Sequence, residues 1–106
     1  MHQAVYERLK EVARANGMIY YSQIAPLAGV GQRSLGPILG EICKSEVHQG
    51  RPMLGAVVVR KDSHMAGEGF FKGARKLDLF QGSTDKDKRE FWVQELKKVH
   101  DYWSSH

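Results

Sequence analysis

The sequence predicts an α+β fold: a single winged helix-turn-helix-like domain with a two-stranded wing and a long C-terminal helix. Three observations carry this expectation. Residues 20–43 read as two short helices around a glycine-bearing turn, which is the helix-turn-helix pattern. Residues 52–60, P-M-L-G-A-V-V-V-R, form the clearest strand, and a polar tip and a glycine-containing return follow it as in a wing. Residues 86–103 repeat apolar side chains at helical spacing.

The elements follow in order. Residues 3–16 form a first helix whose inward stripe is Val5, Leu9, Val12 and Ala13, with Tyr6 beside it and mixed charges outside. Asn16-Gly17 ends it in a turn. Met18–Tyr21 is a short apolar stretch suited to a brief strand or a staple on the next helix. Ser22 can cap that helix, Gly29 and Gly31 end it, and Ser34 can cap the next. Leu35, Ile38, Leu39, Ile42 and Cys43 then share one buried face. Arg33, Gly36, Pro37, Gly40, Glu41 and Lys44 share the other, an outer face of small and basic residues. After the strand at 52–60 and the turn Lys61-Asp62-Ser63-His64, residues 65–71 return as a second wing strand. A short helix over 70–79 points Phe71, Ala74 and Leu77 inward. Ser83, Thr84 or Asp85 caps the last helix, whose stripe is Trp92, Leu96, Val99 and Trp103, flanked by Phe91 and Tyr102.

Composition narrows the function. A chain of 106 residues has room for one core, so residues 1–106 are read as one domain. Its net charge of +4 favours an anionic partner. The single cysteine, Cys43, excludes an intramolecular disulfide. Apolar runs such as Ala56–Val59 are far short of a membrane span, and the first residues, M-H-Q-A-V-Y-E-R, form no apolar signal region. A cytoplasmic protein with no membrane partner is expected.

The segments Y-S-Q-I-A-P-L-A-G, Q-R-S-L-G-P-I-L-G and P-M-L-G-A-V-V-V resemble the DNA-binding domain of the alkylguanine-DNA alkyltransferases and their alkyltransferase-like relatives, over roughly residues 18–70. That family runs Y-G-x-I-A-x-x-x-G, then A-R-A-V-G-x-A-L, then I-P-C-H-R-V-V and a glycine-rich wing. The resemblance implies that Tyr21 presses on a target phosphate and that Arg33 enters the base stack from the start of the recognition helix. It also implies that Gly36 lets that helix lie close in the minor groove. Where the family has P-C-H-R, this chain has Leu54-Gly55-Ala56-Val57, so the acceptor thiol and its activating histidine are absent. Alkyl transfer by the family mechanism is excluded, and DNA binding is what the resemblance leaves.

The expected protein is therefore a non-catalytic DNA-binding protein. The helix from Ser34 to Glu46 is the reading helix. Tyr21 and Ser22 meet backbone phosphate, Arg33 touches the groove or phosphates, Ser34, Gly36 and Lys44 complete the nucleic-acid-binding set, and Arg60 and Lys61 anchor the wing. No catalytic residue, cofactor or metal is expected. Ser34 has no neighbouring base, and His2, His48, His64, His100 and His106 fall at no metal-ligand spacing. Cys43 lies on a buried stripe with no cation at a clear spacing to activate it. A second reading is a small interaction module or inhibitor acting on a nucleic-acid-processing system through the aromatic C-terminal helix. Solvent exposure of Trp92 and Trp103 would favour it.

Overall fold

The run Met53–Val59, in which every residue is buried, passes through the middle of the protein and the helices are laid around it. In the computed structural model, which describes residues 2–106, the chain is helix-rich with one small sheet. Helix α1 spans Gln3–Arg14 and strand β1 is Ile19–Tyr20. Helix α2 spans Tyr21–Ala28, and a 3-10 turn at Gln32–Ser34 leads into α3, Leu35–His48. A second 3-10 turn, Leu54–Val57, leads into β2, Val58–Val59. Helices α4, Glu68–Lys76, and α5, Asp85–Trp103, complete the order. The two strands pair in parallel, Ile19 with Val58 and Tyr20 with Val59.

The helices form where apolar period and capping chemistry coincide. On α1, Val5, Leu9, Val12 and Ala13 are buried, and Asn16 takes the left-handed turn at φ 55°. Gly29 ends α2 at φ 69°. The stripe of α3 is Leu35, Leu39, Ile42 and Cys43 with Ile38 half-buried, and it continues into Glu46. Thr84 caps α5: its Oγ1 accepts from the Asp87 amide at 3.0 Å, and an Asp87 carboxylate oxygen accepts from the Thr84 amide at 3.2 Å. Trp92, Val99 and Trp103 are buried, and Glu95, rather than Leu96, fills the fully inward position between them.

Four expectations are corrected. Residues 52–60 are not a continuous strand. Leu54–Val57 is enclosed by α1, α3 and α5, and only Val58 and Val59 lie beside another strand, so most of the backbone of the run has no ladder to join. Side chains serve it instead. Glu95 accepts from the Met53 amide at 2.8 Å, Cys43 Sγ accepts from the Gly55 amide at 3.3 Å, and Trp92 Nε1 donates to the Ala56 carbonyl at 2.9 Å. Gly55 is required there, because a Cβ on it would stand 2.7 Å from Cys43 Sγ. Residues 65–71 do not return as a strand, so no two-stranded wing forms. Instead α4 brings Phe70, Phe71 and Ala74, at i, i+1 and i+4, onto one buried helical face. Ser22 does not cap α2. The helix starts two residues earlier, with Tyr20 at the cap position, and Gln23 Oε1 accepts from the Tyr20 amide at 3.0 Å. Ser34 makes no capping bond, because the 3-10 turn carries the chain into α3.

Candidate functional site

Three segments distant in sequence converge on one cleft of about 540 Å³. The β1–α2 junction contributes Tyr20, Tyr21 and Ser22. The 3-10 turn ahead of α3 contributes Gln32 and Arg33. The end of β2 and the turn after it contribute Val59, Arg60, Lys61 and Asp62, with Gly67 behind them. The parallel pairing of β1 with β2 is what brings these together, since it sets Tyr20 beside Val59 and so places α2's first turn next to Arg60.

Tyr21 is the anchored group in this cleft. Its phenolic oxygen accepts from the Gly67 amide at 3.1 Å, which leaves its own O–H to donate. Burial raises its pKa above the ordinary phenol value, against the opposing pull of that amide, so the phenol stays neutral and remains a donor. Gly67 is matched to it: a Cβ there would stand 3.0 Å from the Tyr21 oxygen and 3.7 Å from Arg60 Cδ. The turn after β2 is closed by the Arg60 amide donating to the Met65 carbonyl at 3.0 Å and the His64 amide donating to the Arg60 carbonyl at 2.8 Å. It holds Lys61 Nζ 5.6 Å from the centre of the Tyr20 ring, while the His64 ring meets Tyr20 edge-on at 6.0 Å.

The charges are unequally engaged. Arg60 bonds Asp62 at 2.9 Å, but both side chains are more than half exposed, so the pair is weak and open to exchange. Arg33 and Lys61 make no ion pair among the described residues. Arg33, Arg60 and Lys61 set against Asp62 give the cleft lining a net charge of +2.

Five of the eight residues singled out from sequence, Tyr21, Ser22, Arg33, Arg60 and Lys61, line this cleft. Ser34, Gly36 and Lys44 do not. They lie on or just ahead of the outer face of α3, which is exposed throughout at Gly36, Pro37, Gly40, Glu41 and Lys44. Sequence reasoning missed Tyr20, Gln32, Asp62 and Gly67. The Tyr20-Tyr21 doublet and the Gly67-x-Gly69 pair were the available signals.

Other groups that carry chemistry are engaged in structure. Leu54–Val57, which stand where the resemblance placed a reactive motif, are all buried. Burial pushes the Cys43 thiol from 9.0 up to about 12. His100 Nε2 donates to the Gly17 carbonyl at 2.8 Å, and His2 Nδ1 caps α1 by accepting from the Val5 amide at 3.4 Å. Trp92 and Trp103 are each only 6% exposed, so α5 presents neither as an outer surface. Among the described residues no helix is long and apolar enough to cross a membrane.

Comparison of the chain with protein families, with curated proteins and with solved structures finds no match.

Proposed function

We propose that this protein binds DNA without catalysing a reaction on it, using the cleft between the start of α2, the turn ahead of α3 and the turn after β2. The observation that carries this reading is the convergence of Tyr21, Ser22, Arg33, Arg60 and Lys61 on one cationic cleft. Lysine, arginine, hydroxyl and phenol donors are the groups that contact phosphate oxygens. In this reading α2 and α3 act as the helix-turn-helix, and the closed turn at 60–65 takes the place of a wing. The outer face of α3 then lies along the groove, where Gly36, Pro37 and Gly40 permit close approach and Lys44 adds charge. The resemblance to the alkyltransferase DNA-binding domain supports the same placement of Tyr21 and Arg33. The second reading, a protein partner held by Trp92 and Trp103, is disfavoured by the burial of both.

Fluorescence anisotropy with an internally labelled duplex, taken across a salt series, tests the proposal. Affinity is expected to fall steeply with salt. Arg33→Ala and Lys61→Ala should each reduce the slope by about one, because each removes roughly one phosphate contact. Absence of binding even near 50 mM salt would sink the reading.

A further inference from the structure

The lining of the cleft carries more positive charge than one phosphodiester neutralises. It is an open cleft of about 540 Å³. An internal diester continues into a neighbour on both sides, so it lies across such an open cleft with its bases held in the duplex. A strand end continues on one side only. Charge points the same way. An internal diester carries one negative charge, whereas a terminal phosphomonoester carries roughly −1.5 to −2 near neutral pH and three acceptor oxygens. The lining supplies a net +2, and two of its cations, Arg33 and Lys61, have no competing carboxylate among the described residues. The neutral Tyr21 phenol and the Ser22 hydroxyl add donors. The Tyr20 ring, with Lys61 Nζ held 5.6 Å from its centre, supplies an aromatic wall of the kind on which a terminal base stacks.

We infer that the cleft receives the phosphorylated end of a DNA strand, with its terminal nucleoside against Tyr20 and its phosphomonoester among Arg33, Lys61 and the Tyr21 phenol. The inference rests on the DNA-binding reading above. It deepens that reading by naming a terminal nucleotide as the group bound.

The test compares one duplex in four forms: closed at both ends by hairpin loops, open with hydroxyl ends, open with 5′-phosphates, and open with 3′-phosphates. One phosphorylated form should bind roughly tenfold tighter than the hydroxyl form, the size of a charge-assisted hydrogen bond gained. Arg33→Ala or Lys61→Ala should abolish that preference; both side chains are exposed, so the fold should tolerate the change. Retention of the preference in both variants would overturn the placement of the phosphate. If phosphorylated and hydroxyl ends bind within roughly twofold of one another, the strand-end inference is overturned, since a charge-assisted contact is worth more. Binding of the closed duplex in that case leaves the DNA-binding reading standing, and failure of every form removes both. Free nucleoside monophosphate is the remaining arm. Competition at concentrations equal to the phosphorylated duplex would assign the cleft to a free nucleotide and overturn the strand end. Weak competition is the expected result.

Discussion

Cys43 and Gly55 show how two small residues settle a local structure. The Sγ atom occupies the volume that any side chain at position 55 would need, and it accepts the Gly55 amide, a buried donor with no strand beside it. Enclosure of the thiol raises its pKa from 9.0 to about 12. Over that range the folded protein holds a proton that the unfolded chain has released. The unfolded state therefore binds fewer protons, so this contribution to stability is intact below about pH 9 and is lost as pH rises toward about 12. Urea unfolding at about pH 8 and pH 10.5 measures it. Cys43→Ala should be less stable than the parent at the lower pH, yet should lose less stability between the two. An equal loss in both proteins would show that the thiol does not titrate with unfolding. Tyr6 and Tyr21, whose pKa values are also raised by burial, add the same alkaline trend to both proteins and cancel from the comparison.

Among elements, the seam between α1, α3 and the connector to the buried run is held by one carboxylate. Glu46 is fully buried on α3. It accepts from the Tyr6 hydroxyl of α1 at 2.8 Å and from Arg51 of the connector at 2.6 and 3.0 Å. The same carboxylate raises the pKa of the Arg51 guanidinium. Glu46→Gln should destabilise the protein by about 1–3 kcal/mol, because it weakens the charge-assisted hydrogen bonds that half-buried Arg51 makes to a fully buried position. The double replacement Glu46→Leu with Arg51→Met should recover much of that loss, as thermal unfolding of the cycle would show. A cost for the double change as large as the sum of the singles would mean that the pair does not act as a unit. Glu46 was legible in principle: it sits three residues from Cys43 and four from Ile42, on a stripe that is otherwise apolar. The buried stripes of α1 and α3 were legible because a 3.6-residue period is local, whereas the caps expected at Ser22 and Ser34 did not form. The run 53–59 was read as a strand because its composition is that of a strand. Its actual backbone partners lie 12, 36 and 42 residues away, at Cys43, Trp92 and Glu95, and no local pattern announces them. At 65–71 the helix brings Phe70 and Ala74, at i and i+4, into the core together with Phe71.

For the molecule as a whole, the two charged ends of the buried run carry a further consequence. Met53–Val59 is compact, β-branched and without charge, the composition that self-associates into cross-β stacks when several copies meet unfolded. In the folded protein it is sealed. During synthesis or after denaturation it is exposed, and what flanks it is Arg51-Pro52 on one side and Arg60-Lys61 on the other. Charges and proline at such borders oppose strand stacking by repulsion and by the missing amide donor. Arg60 and Lys61 thus serve the unfolded chain as well as the folded cleft. Replacing both with alanine should leave the melting temperature nearly unchanged, because both side chains are exposed. The yield of soluble protein on refolding should nevertheless drop as chain concentration is raised, read by light scattering. A solubility defect of that kind, found in a variant made to probe ligand binding, would originate in the chain before it folds.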